Sequence, residues 1–148
     1  MKNLVLSSYD DLLPYMDKVL PKLAIACSYS LGRFKAEDIV EYLRVGAMQA
    51  WLAFSEAREL DGFILSEIIT WPRCKELRIL CLMGVAIEGP AEFLQKIGGW
   101  LHLVKQVEDH ARGAGCALVQ IECPAQWELL LRDFGYERGH VLLKKEIL

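Results

Sequence analysis

Residues 100–122 read WLHLVKQVEDHARGAGCALVQIE, and this stretch carries the clearest structural signals in the chain. Apolar residues recur with the helical period up to Ala114 while charged residues take the opposite face, which predicts an amphipathic helix. Gly113 and Gly115 tolerate positive φ and should end this helix. The apolar run at residues 116–122 predicts a buried strand, parallel to the strand that precedes the helix.

Three apolar runs precede the helix and predict an antiparallel meander. The first two, residues 50–54 and 63–70, flank a polar turn with Asp61 and Gly62, which is typical of a hairpin. The third strand is predicted at residues 77–83, and a loop at residues 84–90 leads into the helix, which runs from Ala91.

Apolar positions between Leu13 and Cys27 predict a further amphipathic helix near the N-terminus. Pro14 suits the first turn of this helix, whereas Pro21 should kink or divide it. The remaining predicted elements are a strand at residues 4–6, a helix at 36–47, a short helix at 126–133 and a final strand at 141–143.

The composition predicts a single domain over residues 1–148. There are 17 Lys and Arg against 20 Asp and Glu, a net charge of −3, so a nucleic-acid partner is not expected. The longest apolar run, residues 77–87, is interrupted by Arg78 and is too short to span a membrane. Because 53% of the residues are apolar, part of the surface is expected to face a partner, as in a homo-oligomer or a larger assembly.

Five cysteines form an odd set without a CxxC motif. We interpret them as reduced core thiols rather than as disulfides or metal ligands, and no metal site is predicted. Reduced thiols favour a reducing compartment. The N-terminus lacks the apolar stretch of a signal peptide, so a cytoplasmic location is expected.

Three segments, in this order of elements, resemble the GNAT acetyltransferase superfamily. They are residues 95–100 (QKIGGW), 110–116 (HARGAGC) and 130–137 (LLRDFGYE). The resemblance implies an α/β (α+β) fold in the order β-α-α-β-β-β-α-β-α-β. Its mixed, mostly antiparallel sheet would have about six or seven strands, with helices on both faces.

The resemblance also implies acetyl-CoA as the acyl donor. Its pyrophosphate would be held at the start of the long helix by Gln95, Gly98 and Gly99, since backbone N–H groups at a helix N-terminus bind anions. Leu82 and Gly84, at the end of the third meander strand, would line the same cleft. Trp100 stands where the family has Gly or Ala, and its indole should either fill the space that the phosphates need or turn into the core.

For catalysis, the resemblance points to a carboxylate on the meander as general base, and Glu67 and Glu76 are the candidates by position. Both could equally be solvated outward positions of a strand. Many members carry a tyrosine that protonates the departing thiolate, and here that position is Leu131. Tyr136 is expected to pack as the aromatic residue that follows Gly135.

Two functions follow from this comparison. The first is transfer of an acetyl group from acetyl-CoA to an unknown amine. The second is an inactive GNAT-like domain that serves as a structural or interaction protein, as Trp100 and Leu131 suggest. The segment from Trp127 to Lys145 also resembles small GNAT-like proteins of tailed bacteriophages, so a virion component is the alternative location and role.

Overall fold

Five strands form one mixed sheet in the computed structural model, which describes residues 3–28, 30, 32–85, 90–123 and 125–147, except for the side chains of residues 90–99. The strands are β1 (Asn3–Ser7), β2 (Gln49–Phe54), β3 (Leu60–Thr70), β4 (Lys75–Gly84) and β5 (Leu118–Ile121). They lie in the order β1-β2-β3-β4-β5. Neighbours are antiparallel except β4 and β5, which are parallel. This confirms the predicted meander and the parallel pair after it.

The helices are α1 (Tyr9–Leu12), α2 (Met16–Ser28), α3 (Ala36–Arg44), α4 (Pro90–Gly113) and α5 (Glu128–Arg132). Ser8 caps α1, where its hydroxyl accepts a 3.2 Å hydrogen bond from the amide of Asp11. The long helix predicted from residue 91 is confirmed as α4. A left-handed Gly115, with φ 82°, follows its end.

Pro21 was expected to kink or divide the helix, and the division is wrong, because α2 continues through this residue. The helical run is interrupted earlier, where Leu13–Tyr15 form a 3₁₀ turn with Pro14 near its start. The missing N–H of Pro21 costs one hydrogen bond, to the carbonyl of Asp17, and the helix tolerates this loss.

Each face of the sheet has its own core. The core under α4 and α5 contains Trp51, Ile64, Leu77, Ile79, Leu82, Trp100, Val104, Val107 and Leu131. The core under α1, α2 and α3 contains Leu12, Val19, Leu23, Ile39, Leu43, Leu52, Phe63 and Leu65. The expected arrangement of helices on both faces is therefore confirmed.

The predicted strand at residues 141–143 is wrong for the chain as described, and the sheet has five strands instead of six or seven. Val141, Leu142 and Leu143 have no secondary structure and are 63%, 75% and 87% exposed. All three are apolar and Val141 is β-branched, which favours a strand, but no described element pairs with them. The apolar pattern alone could not show whether a neighbouring strand was available.

Candidate functional site

Within the described residues, β4 runs on beyond the end of β5 and leaves an open strand edge, and we call the space beside this edge the cleft. The two strands pair only from Glu76 opposite Leu118 to Ile79 opposite Ile121. The last ladder bond joins the amide of Glu122 to the carbonyl of Ile79 at 3.3 Å. In the described part of the chain, residues 80–84 of β4 therefore have a strand on one side only, β3.

A β-bulge at Leu80 decides which backbone groups face this open side. Leu65 pairs with Cys81 and Ser66 pairs with Ile79, so Leu80 is the extra residue. One inserted residue reverses the alternation of groups that point to the left and right neighbours of a strand.

The hydrogen bonds on either side of the bulge locate the reversal. Before it, the carbonyls of Lys75 and Ile79 bond to amides on the β5 side. After it, the amide of Val85 donates to Asp61 on the β3 side at 2.8 Å. By alternation, the backbone groups of Leu82 and Gly84 point into the cleft, and the predicted cofactor positions on β4 thus lie on its wall.

Trp100 turns into the core and not into this cleft. Its side chain is fully buried, and its six-membered ring lies against Gly62 of β3, one strand further from β5 than β4. Of the two orientations expected for the indole, the structure has the second.

The backbone of Gln95, Gly98 and Gly99 lies inside α4, which begins earlier, at Pro90. Only the first four N–H groups of an α-helix lack a partner within the helix. Among the helical residues of α4 these groups belong to residues 91 and 92, since Pro90 has no N–H. A phosphate-binding role of Gln95, Gly98 and Gly99 stays a prediction.

The two candidate bases meet at one guanidinium. Glu76 is 95% buried, and its Oε2 accepts a 3.0 Å hydrogen bond from Nε2 of Gln120. Its Oε1 lies 3.5 Å from Nη2 of Arg78, while Oε1 of Glu67 lies 3.9 Å from Nη1 of the same residue. Glu67 keeps 24% of its side chain exposed, so it is the more accessible of the two carboxylates.

A second arginine extends this charged cluster toward the segment between α2 and α3. Nη1 of Arg78 lies 3.7 Å from Oε1 of Glu122, and Nη2 of Arg33 donates to Oε2 of Glu122 at 2.8 Å. The hydrogen bond from Arg33 holds the pKa of Glu122 below its ordinary value, although partial burial acts in the opposite direction. Three carboxylates thus share two guanidiniums, which leaves the cluster one negative charge in excess.

The position of the expected proton donor is apolar. Leu131 is 5% exposed and packs in the core under α4. Tyr136 packs against the same core, as expected, and its hydroxyl donates to Oε1 of Glu108 at 2.8 Å. Desolvation raises the pKa of Tyr136, and the bond to Glu108 adds to this shift.

Sequence reasoning missed the two arginines and Glu122. Arg78 did leave a signal, because a charge inside an apolar strand needs buried partners. Arg33 and Glu122 are 89 residues apart, and only the fold brings them together.

Within the residues described, no group of three or more His, Cys, Asp or Glu could hold a metal ion. A search of the described helices finds none with both the length and the apolar character needed to cross a membrane.

No family model and no curated protein matches the sequence. Solved structures do match over the whole chain. An aminoglycoside acetyltransferase, HMB0005, from an uncultured soil metagenomic sample has a TM-score of 0.69 at 13% identity, with 100% of this chain and 99% of that chain covered.

Two further acetyltransferase structures are similar to this chain over its whole length. Glucosamine-6-phosphate N-acetyltransferase from Arabidopsis thaliana has a TM-score of 0.64 at 14% identity, covering 99% of this chain and 98% of its own. A GNAT family acetyltransferase from Staphylococcus aureus subsp. aureus has a TM-score of 0.65 at 15% identity, with the same coverage. None of the three is described as a bacteriophage protein, so the expected bacteriophage origin gains no support. At these identities the likeness concerns the fold, and the chain has the α+β fold of the GNAT acetyltransferases.

Proposed function

We propose that this protein transfers an acetyl group from acetyl-CoA to an amine. The observation that carries the proposal is the one-sided stretch of β4 after the bulge, where the backbone groups of Leu82 and Gly84 face an open cleft. The structural similarity to acetyltransferases extends over the full length of the chain, and this similarity also supports the proposal.

The pantetheine arm of coenzyme A carries amide groups. Backbone groups at an open strand edge recognise an extended amide chain as they would another strand. Leu82 and Gly84 would thus hold the arm along β4. The positive end of the α4 dipole, at Pro90, would favour the phosphates. Gln95, Gly98 and Gly99 lie in the second and third turns of this helix and stay the predicted phosphate-binding residues.

Glu67 is the carboxylate that we assign to proton removal, directly or through a water molecule, because solvent reaches it. Glu76 is too buried to meet an acceptor and would act as a positioning residue that holds Arg78. In the reaction, the amine nitrogen attacks the thioester carbonyl carbon, a C–N bond forms and the C–S bond breaks. The amine proton passes to Glu67, and the thiolate takes its proton from solvent, because Leu131 offers none.

An inactive interaction protein is the second candidate, and the apolar Leu131 is the observation that favours it. The buried position of Trp100 removes the other main argument for this candidate, since the indole does not occupy the cleft. A location in the cytoplasm, suggested by the cysteine content, fits either function.

Thermal unfolding with and without acetyl-CoA tests donor binding. At 100-fold above the dissociation constant, a true site adds about 2.7 kcal/mol, which raises the melting temperature by roughly 5–11 °C for a chain of this size. Coenzyme A and AMP serve as comparison ligands. An unchanged melting temperature at millimolar acetyl-CoA would overturn the enzyme proposal.

Catalysis is tested separately, by mass spectrometry of a panel of amines incubated with acetyl-CoA. Glu67→Gln should lower kcat by about 10²–10⁴-fold, the usual contribution of a general base. The matched control is Glu59→Gln, which changes an exposed carboxylate in the β2–β3 turn. If both variants kept full activity, Glu67 would not be the base, whereas donor binding would stand.

A further inference from the structure

The guanidinium of Arg78 is shared among three carboxylates and lies close to none of them. Its nitrogens are 3.5 Å from Oε1 of Glu76, 3.9 Å from Oε1 of Glu67 and 3.7 Å from Oε1 of Glu122. A charge-assisted hydrogen bond between arginine and a carboxylate is about 2.7–2.9 Å long. Arg78 therefore holds all three side chains loosely, and one contact can shorten when the other two are given up.

A buried oxygen of Glu76 indicates which contact would shorten. The side chain is 7% exposed, and Gln120 donates to its Oε2. Among the described residues, its Oε1 has no hydrogen-bond partner. A buried carboxylate oxygen without a donor is costly, so it points to a second arrangement in which a donor reaches it. A small shift of Arg78 supplies that donor, because Nη2 is already 3.5 Å away.

This shift would release two carboxylates that solvent reaches, since the side chains of Glu67 and Glu122 are 24% and 40% exposed. Their Oε1 atoms lie 3.9 and 3.7 Å from the same Nη1 atom, so a short ligand can meet both. Arg33 holds the other oxygen of Glu122 at 2.8 Å and thereby orients this carboxylate. The excess negative charge of the cluster favours a cation as the ligand.

The two carboxylates lie near the end of the cleft where β5 stops. Glu122 directly follows β5, and its amide makes the last ladder bond, to the carbonyl of Ile79. Beyond this bond, in the described part of the chain, β4 continues with β3 as its one neighbour, through Leu82 to Gly84. A ligand between Glu67 and Glu122 would thus lie next to an acyl donor held along this edge.

We propose that the acceptor is a short diamine, bound between Glu67 and Glu122. Its reacting nitrogen lies at Glu67, and its second ammonium group replaces the guanidinium of Arg78 at Glu122. Arg78 then closes onto Oε1 of Glu76. The role of the reacting nitrogen rests on the proposed acetyl transfer, whereas the preference for two positive charges is a property of the carboxylates alone.

Calorimetric titration of the full chain with two amines of equal length tests the preference, with and without coenzyme A. Diaminobutane with an amino group at each end should bind about 5–10-fold more tightly than butylamine, because it reaches both carboxylates. Glu122→Gln should lose most of this preference. Glu41→Gln is the matched control and should keep it, because Glu41 also accepts two hydrogen bonds from one arginine, Arg44, but lies on α3.

A crystal structure with diaminobutane tests the movement of Arg78. Nη2 should approach Oε1 of Glu76 to about 2.7–2.9 Å, and an amino nitrogen should lie against Glu122. The proposal is overturned by equal affinities for the two amines, by no binding of either, by a preference that survives Glu122→Gln, or by an unmoved Arg78.

The same titrations separate this proposal from the proposed function. If acetyl-CoA raises the melting temperature and the preference for diaminobutane is absent, donor binding stands and the diamine site is wrong. If the preference is present and acetyl-CoA has no effect on melting, the amine site stands and the enzyme proposal is wrong.

Discussion

The six-membered ring of Trp100 lies directly on Gly62, so α4 and β3 are in close contact at this point. A Cβ added to Gly62 would overlap Cη2 of Trp100 and the carbonyl oxygen of Met83, and would lie 2.8 Å from Cζ2 of the indole. Glycine is therefore required by the packing at this point of β3, and the large side chain in α4 is accommodated by the small one opposite it.

Replacing Gly62 by alanine should destabilise the protein. The backbone oxygen of Met83 cannot move away without disturbing the β3–β4 ladder, so we expect a loss of about 1–3 kcal/mol or more in the free energy of unfolding. Urea denaturation followed by circular dichroism measures this loss. Gly113→Ala is the control, because a Cβ there meets nothing within 4 Å, and this variant should be neutral or slightly stabilised. Equal effects of the two substitutions would contradict the close contact.

Trp100→Ala should weaken folding without improving donor binding. The indole is fully buried in the core, so its removal leaves a cavity, and such truncations cost about 3–5 kcal/mol. Because the ring points toward β3, the cavity does not widen the cleft beside β4. Melting with and without acetyl-CoA should show a lower melting temperature and an unchanged ligand-induced shift. A larger shift than that of the parent would mean that the indole does limit the cleft.

The order of the elements could be predicted because each one has a local signal. The period of α4, the turn chemistry between β2 and β3 and the glycines after α4 are all visible in the sequence. Two structural features had no such signal. The helix continues through Pro21 because the rest of α2 tolerates the loss of one backbone hydrogen bond. Whether residues 141–143 form a strand depends on whether the edge of another strand is close enough to pair with them.

The candidate site was predictable in part for the same reason. Glu67 and Glu76 were found because the order of strands places them on the meander, but their difference in exposure comes from packing. The bulge at Leu80 turns the backbone of Leu82 and Gly84 toward the cleft. A leucine at this position does not predict a bulge, so the sequence could not reveal this orientation. Long-range ion pairs such as Arg33 with Glu122 are outside the reach of any local pattern.

The cysteines should differ sharply in reactivity. Cys74 is exposed in the β3–β4 turn, whereas burial raises the pKa of Cys81 to about 12. At pH 8 the thiolate fraction of Cys81 is then on the order of 10⁻⁴, and the thiolate is the form that reacts. A thiol reagent should label Cys74 first in the native protein and Cys81 only after unfolding, as peptide mass spectrometry would show. Cys74→Ser should abolish the fast phase, and a fast phase that remained would contradict the assignment.

The ion pair between Arg33 and Glu122 should contribute to the acid sensitivity of the protein. Its hydrogen bonds lower the pKa of Glu122 in the folded state, so the folded protein holds this proton less tightly than the unfolded chain, where a glutamate titrates near about 4.3. The stabilisation is therefore complete above that pH and is lost as the pH falls through the lower folded-state pKa. Both side chains are 40% exposed, so solvent screening limits the effect to about 1 kcal/mol or less.

Urea denaturation as a function of pH should show a shallower loss of stability on the acid side for Arg33→Gln than for the parent. Glu122→Gln should give the same shallower profile, and the double variant should add nothing further, because both substitutions remove one interaction. Additive effects of the two substitutions would show that each residue acts through another partner, with Arg78 the nearest alternative for Glu122.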